Sequence, residues 1–364
     1  MRVLHLPTSV GGNSWGLSQG ERRIGLTSRV LTVGRNYLQY PTDDLIILPQ
    51  SEGLLGKAKS FLTLLNTFLK IRKNYDVYHF NFGSSLLDFP RYGIYALDLP
   101  FYPANARLFV TYNGCDARQK YPTMRRTALA ACHNPLCYGG MCNSGKLDKV
   151  RRKKIAKFAK YVDHIFAVNP DLLWFLPSEK SSFLPYTVAN WFDEADIKPT
   201  FDFTRRKLRV VHAPTNRVAK GSHLILSSLQ KIKESFPNDI DIILIEGKSH
   251  AESLAIYRES DLIVDQVLVG WYGGLAVEVM RMGKPVAVYI REEDLHFIPA
   301  DMRKDLNDAF IRIQPNTIDE VLAQFISNRK ALQEKAENAY EYVHTWHDPI
   351  KVALQVREYY EGKP

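Results

Sequence analysis

The clearest chemical signal in this 364-residue sequence is a glycine turn, GWYGG at 270–274, placed between two apolar runs. The run before it, 261–264, is typical of a short buried strand, and the run after it predicts a buried helix that Gly283 and Pro285 end. A helix that begins at a glycine turn directs backbone N–H groups and the positive end of its dipole towards one point. The turn therefore predicts an anion site, the usual seat of a phosphate or a diphosphate.

Glu278 follows Gly274 by one helical turn, so its carboxylate can reach a group attached to an anion bound at the turn. A carboxylate opposes a bare phosphate but accepts hydrogen bonds from sugar hydroxyls. The chemistry indicated is therefore that of a sugar nucleotide. The alternative is an ordinary strand–turn–helix unit of an α/β core, in which the glycines serve only packing.

A second polar loop precedes this turn by about fifty residues, where a predicted strand runs into APTNRVAKG at 213–221. The loop carries Arg217 and Lys220, and an apolar helical pattern follows it. An arginine can bond two oxygens at once and a lysine adds a point charge. Two such cations beside a helix start again suit a diphosphate.

The pairing of APTNRVAKG with DQVLVGWYGGLAVEVMRMGKPV at 265–286 resembles the donor half of GT-B glycosyltransferases, in the large retaining family 4 type that uses nucleotide diphosphate sugars. The resemblance is specific over 205–300 and mostly architectural elsewhere. It implies catalytic roles for Arg217 and Lys220 at the donor diphosphate, and for Glu278 at the ribose. It also implies a set of donor-binding residues: Gly12, Asn13, Asn113, Asn216, Glu246, Gly247, Tyr272, Gly273, Gly274 and Leu275.

The chain departs from the family pattern at one position. The family often shows two glutamates eight positions apart, and Gly270 stands where the first of them would be. That first carboxylate usually faces the transferred sugar. Asp265 and Gln266 are the nearby candidates to replace it.

Alternating strand and helix signals along the chain predict βαβ units and parallel sheets, an α/β fold. The resemblance implies the GT-B form of that fold, with two Rossmann-like, doubly wound parallel-sheet domains facing across a cleft and a C-terminal helix crossing back to the first domain. We expect an acceptor-binding domain at 1–190, a linker at 191–204, a donor-binding domain at 205–345 and the returning helix at 346–364.

The composition indicates which classes of binding partner and which cellular location to expect. The formal net charge is +9 and the pI is about 9.2, which favours acidic partners such as nucleotides or anionic lipid surfaces. No stretch reaches eighteen apolar residues, and the N-terminus lacks a signal-peptide pattern. We therefore expect a cytoplasmic protein that can associate peripherally with the inner face of a membrane.

A basic amphipathic helix at 146–161, KLDKVRRKKIAKFAKY, is the candidate for that membrane contact. The alternative is a helix whose charged face is simply solvated. A nucleic-acid partner is not expected, because the basic run lacks interleaved aromatic residues and no recognised nucleic-acid motif is present.

The sequence has only four cysteines, which argues against a disulfide framework. Two successive C-x4-C spacings and a further cysteine suggest an alternative, a structural zinc. Its ligands would be Cys115, Cys132, Cys137 and Cys142. The default interpretation is free thiols in a loop, with no metal.

The expected activity is glycosyl transfer with retention of configuration, from a UDP- or GDP-sugar to a glycan or lipid-linked acceptor, in bacterial surface polysaccharide or glycoconjugate biosynthesis. Basic side chains would take the place of a metal, so neither metal nor cofactor is required. Three alternatives remain open: a GT-B sugar-nucleotide epimerase, a non-catalytic sugar-nucleotide-binding protein, and a basic scaffold for membrane or nucleic acid.

Overall fold

A computed structural model describes residues 1–35, 38–49, 53–193, 199, 201, 203 and 207–363. The chain divides into two units. The first unit comprises Met1–Gln119, Leu147–Ala189 and Pro349–Pro364, and the second comprises Lys120–Lys146 and Asn190–Asp348. Much of the predicted linker, namely 194–198, 200, 202 and 204, lies outside the described residues, as does position 205, where the donor-binding domain was predicted to begin.

Strands and helices alternate along the described chain. The strands are β1 (Arg2–Leu6), β2 (Thr27–Val33), β3 (Asp44–Ile46), β4 (Val77–Asn81), β5 (Arg107–Tyr112), β6 (His164–Ala167), β7 (Ser181–Phe183), β8 (Leu208–His212), β9 (Ile240–Leu244), β10 (Leu262–Val264), β11 (Val286–Val288) and β12 (Ile311–Arg312). The helices are α1 (Asn13–Arg23), α2 (Gly53–Ile71), α3 (Lys120–Arg126), α4 (Lys146–Tyr161), α5 (Arg217–Lys220), α6 (Ser222–Ser235), α7 (His250–Arg258), α8 (Gly274–Arg281), α9 (Ala300–Ala309), α10 (Ile318–Ser327), α11 (Arg329–Trp346) and α12 (Pro349–Tyr360). Among these described helices, none has both the length and the apolar character that a membrane crossing requires.

The first unit is built on a parallel sheet in the order β3-β2-β1-β4-β5-β6-β7. Its central strands are buried on both faces, as expected when helices cover a parallel sheet on either side. On one face of the sheet, a core cluster combines the strand residues Leu4, Phe80, Val110 and Ile165 with Phe68 of α2 and Phe158 of α4. On the other face, a second cluster combines the strand residues Val3, Phe109 and Phe166 with Leu17 of α1 and with Val352 and Val356 of α12.

The second unit is built on a parallel sheet in the order β12-β11-β10-β8-β9. Its core consists of apolar residues from β8, β10 and β11 together with α6, α10 and α11. The α/β class with parallel sheets, predicted from the alternating pattern, is confirmed, and so are the two doubly wound sheets that the resemblance implies.

Residues 120–146 belong to the second unit, although the sequence placed them in the first domain. Their contacts with that unit are specific. The Ala131 N–H donates to the Leu268 carbonyl at 3.0 Å, and the Leu129 carbonyl accepts from the Arg291 guanidinium at 3.0 Å. Neither contact affects the local hydrophobic periodicity of the sequence. The sequence pattern therefore cannot predict that residues 120–146 belong to the second unit.

The C-terminal helix α12 completes the first unit by packing against α1. A Cβ atom placed on Gly20 of α1 would lie 2.0 Å from the Pro349 carbonyl oxygen at the start of α12. Beside this contact, the fully buried Glu21 carboxylate accepts hydrogen bonds from Tyr360 at 2.9 Å and from Ser28 at 2.6 Å. The residue at position 20 must therefore be glycine for α12 to dock.

Replacing Gly20 with alanine is expected to destabilise the first unit, because the added methyl group pushes α12 away from α1. Overpacking of this kind costs about 1–3 kcal/mol in free energy of unfolding. The measurement is the urea midpoint followed by circular dichroism. Gly114→Ala is the matched control, since the nearest atom to its Cβ would be 3.9 Å away. Equal midpoints for the two variants would contradict the packing argument.

Candidate functional site

The two stretches singled out in the sequence meet at one edge of the second sheet. β8 ends at His212 and β10 ends at Val264, and these strands are parallel neighbours. The loop after β8 leads into α5, and the loop after β10 leads into α8. Because the carboxyl ends of neighbouring parallel strands lie side by side, α5 and the start of α8 come together, and this edge is where α/β sheets bind ligands.

A buried carboxylate joins the two stretches. The Lys220 ammonium lies 2.5 Å from Asp265 Oδ1, and Asp265 Oδ2 accepts the Gly273 N–H at 3.3 Å. Asp265 is fully buried, whereas the Lys220 side chain keeps 17% of its surface exposed. Asp265 therefore holds the ammonium group at the start of α8. Because a lysine ammonium has three N–H donors, it can still donate to a ligand there.

Arg217 has a different environment from Lys220. Its Nε lies 2.7 Å from Glu246 Oε1, and a second hydrogen bond joins Nη2 to Glu246 Oε2. The hydrogen bonds and charge of Arg217 lower the pKa of Glu246, and the same contacts raise the pKa of Arg217. The Arg217 side chain is 55% exposed, so a phosphate arriving from solvent can compete with Glu246 for the guanidinium.

The geometry of α5 follows from its two end residues. The Asn216 side chain accepts the Ala219 N–H at 2.9 Å and so caps the start of the helix. Gly221 ends it with φ of +74°, and a Cβ atom there would lie 2.6 Å from Val267. The side-chain oxygen of Asn216, a residue predicted to bind the donor, fixes the single turn that carries Arg217 and Lys220.

The start of α8 is open, as an anion site requires. Gly273 and Gly274 are partly exposed, and a Cβ atom on Gly273 would find nothing within 4 Å. Leu275, the next predicted residue, is also partly exposed, and the predicted Glu246 and Gly247 are exposed at the end of β9. The structure thus brings the backbone at 273–275 and both cations to the same edge of the sheet.

Glu278 lies one turn into α8 and pairs with a histidine that the sequence analysis missed. His250 Nε2 is 2.7 Å from Glu278 Oε1. Burial lowers the pKa of His250, but the hydrogen bond and charge of Glu278 outweigh burial, and the net pKa lies above the ordinary value of 6.5. The available signal was the capping box of Ser249 and Glu252, which marks the start of α7 immediately before His250.

A second missed histidine ties the elements beneath the site together. His212 is fully buried, with Nδ1 2.7 Å from the Val264 carbonyl oxygen and Nε2 2.7 Å from Ser222 Oγ. A carbonyl only accepts, so Nδ1 carries the proton, and burial lowers the pKa of the ring. The neutral imidazole therefore links β8, β10 and the first residue of α6.

Gly270 leaves room for an arginine. Its φ is +89°, and a Cβ atom there would lie 2.7 Å from the guanidinium of Arg291. Arg291 is 1% exposed and donates to Asp294 at 3.0 Å and to the Leu129 carbonyl at 3.0 Å. Where the glycosyltransferases that this sequence resembles often carry the first of their two glutamates, the Arg291 guanidinium thus occupies the space beside Gly270.

Both nearby candidates to replace that glutamate form hydrogen bonds within the protein. Asp265 holds Lys220 and Gly273, as described above. The Gln266 amide nitrogen donates to the carbonyls of Trp271 at 3.1 Å and Tyr289 at 2.7 Å, and its oxygen accepts the Val269 N–H at 2.6 Å. Gln266 therefore shapes the loop that precedes α8.

The Tyr272 side chain, a predicted donor-binding group, points into the core. It is 2% exposed, and its hydroxyl lies 2.8 Å from both Tyr342 Oη and His347 Nε2. Its ring stacks on Phe310 with centroids 4.6 Å apart. Tyr272 anchors the glycine turn to the end of α11.

The predicted residues of the first unit differ in what they offer. Gly12, with φ of +73°, starts α1, and the Asn13 side chain accepts the Thr187 N–H at 3.0 Å, so both have packing roles. Asn113 is different, because both polar atoms of its buried side-chain amide lack a hydrogen-bond partner. Such a group needs an explanation, and a ligand is one.

The cysteines give no geometric support to the zinc alternative. None of the four forms a disulfide. Cys115 lies in the first unit, while Cys132, Cys137 and Cys142 lie in the second. Across the described parts of the chain, no three histidine, cysteine, aspartate or glutamate side chains converge as metal ligands.

No protein-family model matches the sequence, and no curated protein matches it. Solved structures match over the full length. The catalytic domain of starch synthase IV from Arabidopsis thaliana, bound to ADP and acarbose, has a TM-score of 0.59 at 13% identity, covering 100% of this chain and 99% of that chain. WaaG, a glycosyltransferase involved in lipopolysaccharide biosynthesis, has a TM-score of 0.56 at 13% identity, covering 100% of both chains.

A third match is the UDP-GlcNAc 2-epimerase from Neisseria meningitidis, bound to UDP-GlcNAc, with a TM-score of 0.52 at 13% identity and 100% coverage of both chains. Transferases and epimerases thus share the architecture of this chain. At these identities the likeness defines the fold, which is GT-B.

The His250–Glu278 pair makes a prediction about pH. A histidine whose pKa is raised by folding contributes stability that is fully present below its unfolded pKa and is lost as the pH rises through its folded pKa. We expect His250→Gln to lower the melting temperature most below about pH 6.5, with the deficit shrinking at higher pH. His223→Gln, on the exposed face of α6, is the control. A deficit that grows with pH would contradict the assigned pairing.

Proposed function

We propose that this chain is a glycosyltransferase that moves a sugar from a nucleoside diphosphate sugar to a glycan or lipid-linked acceptor. One observation carries the proposal: Lys220, which shares the short helix α5 with Arg217, is held at the open glycine turn where α8 begins. Two cations and a helix start form a complement to a diphosphate. The ADP and UDP-GlcNAc bound to two proteins of the same fold support a nucleotide ligand.

The rate enhancement follows from charge. When the glycosidic bond to the donor breaks, the leaving nucleoside diphosphate gains negative charge, so cations fixed near it stabilise the transition state more than the ground state. Lys220 is suited to this role because Asp265 holds its ammonium group in place before any ligand arrives. In our proposal Arg217 leaves Glu246 and bonds the diphosphate.

Glu278 takes the ribose in this scheme. Its carboxylate is 4% exposed and is held by His250, so its position is fixed one turn along α8 from the proposed phosphate site. A carboxylate there accepts hydrogen bonds from ribose hydroxyls. We assign His250 a positioning role, acting through Glu278.

The finer points of the proposal rest on the sequence resemblance. We propose UDP- or GDP-sugar as donor, retention of configuration, and catalysis without a metal or other cofactor, with the two cations and the helix start neutralising the diphosphate. We also propose a cytoplasmic protein at the membrane surface, serving bacterial surface polysaccharide assembly. The likeness to WaaG supports that setting.

An epimerase is the second candidate function, favoured by the full-length match to a UDP-GlcNAc 2-epimerase. An epimerase uses the same nucleotide site but needs no acceptor. Incubation with UDP-GlcNAc, with and without a glycan acceptor, distinguishes the two: a changed sugar without any acceptor identifies an epimerase, and acceptor-dependent release of UDP identifies a transferase.

Turnover tests the assignment of the cations. With UDP- and GDP-sugars and a mixed glycan acceptor, we expect Lys220→Ala and Arg217→Ala each to lower nucleoside diphosphate release by at least about a hundredfold, the scale of losing one preorganised donor to developing charge. Lys231→Ala is the control, a cation on α6 that pairs with Asp319 at 3.5 Å. Activity in both site variants equal to that of the control would refute the proposal.

A further inference from the structure

Helix α2 exposes an apolar stripe to solvent. Only Gly56, Leu64 and Phe68 of this helix are buried. Four leucines on it are open to solvent, with exposed fractions of 85% for Leu54, 78% for Leu55, 59% for Leu62 and 53% for Leu69. Scattered exposed leucines are ordinary, but a run of them along one helix marks an interaction site.

A second element extends the stripe. The ring of Phe89 lies 5.8 Å from the ring of Phe61 on α2, and the Lys57 ammonium lies over the Tyr92 ring at 5.9 Å. The segment 92–101, which follows Phe89, also exposes large apolar side chains: Tyr92, Ile94, Leu97 and Phe101. The exposed residues of α2 and of 92–101 together are called the α2 patch below.

The charges along α2 and the residues that follow it have one sign. No aspartate or glutamate occurs between residues 53 and 75. Five cations do: Lys57, Lys59, Lys70, Arg72 and Lys73. Among the described residues none of these five forms a salt bridge with a carboxylate, so their charge is available to a partner.

We propose that the α2 patch docks this chain on an anionic lipid bilayer. A helix with an apolar face and flanking lysines lies in the plane of the membrane interface, with its leucines at the acyl boundary and its cations at the headgroup phosphates. Tyr92 carries the apolar ring and polar tip that suit the headgroup level. The inference concerns the first unit only and does not depend on the nucleotide site.

One observation favours lipid over a second copy of the chain, and another favours α2 over α4 as the membrane contact. A second copy of the chain would present the same cations, so pairing two α2 patches would bring like charges together. The basic helix α4, the candidate from the sequence, has Ile155 and Phe158 buried in the core. It can therefore add electrostatic attraction but has no comparable apolar stripe to insert.

The test is flotation of the full chain with vesicles of phosphatidylcholine, with and without 30% phosphatidylglycerol (about a third anionic lipid). We expect strong binding only with the anionic vesicles. Leu55→Ser combined with Leu62→Ser is expected to lower the vesicle partition coefficient at least about tenfold, because two exposed leucines lose their insertion. Lys57→Gln combined with Lys59→Gln is expected to lower it as well, with a weaker dependence on salt than the wild type.

Leu354→Ser is the matched control, since Leu354 is 48% exposed on α12 of the same unit. It is expected to bind vesicles as the wild type does. The inference is overturned if the wild type ignores anionic vesicles, or if the double leucine variant binds them as strongly as Leu354→Ser. It is also overturned if the wild type self-associates without lipid and the double leucine variant is monomeric, which would make the α2 patch an interface between copies.

Discussion

The candidate site depends on one buried carboxylate. Asp265 follows β10 and accepts hydrogen bonds from Lys220, 45 positions earlier in the chain, and from the Gly273 N–H, 8 positions later. Breaking a buried pair of this kind by removing one partner typically costs about 3–5 kcal/mol. The carboxylate is thus both a structural tie between two loops and the reason that an ammonium group stands at the start of a helix.

The two cations of the site are held in opposite ways. Lys220 is largely buried and fixed, which suits a group that must act without reorganising during a reaction. Arg217 is exposed and paired with an exposed glutamate, an arrangement of low stability in water that a diphosphate can displace. The neutral His212 beneath them and the His250–Glu278 pair beside them complete a polar layer along the carboxyl edge of the second sheet.

Local sequence pattern was enough to predict the α/β fold and the strand–turn–helix at 262–281, because buried runs and glycine turns are read within a few residues. It was not enough to predict which side chains pair. Asp265, a candidate sugar contact, pairs with Lys220, and Arg291 fills the space left by Gly270 from a distant part of the chain. Likewise, the apolar residues of α2 carry no information on whether another element covers them.

The most direct test of the account is calorimetric titration of the wild type and Arg217→Ala with UDP, GDP and ADP and with the matching monophosphates. If the cations and the start of α8 bind a diphosphate, one diphosphate will bind the wild type at least about tenfold more tightly than its monophosphate, or about 1.4 kcal/mol. In Arg217→Ala most of that difference will be lost. Equal affinities for diphosphate and monophosphate, or a preference that Arg217→Ala leaves unchanged, would contradict the account.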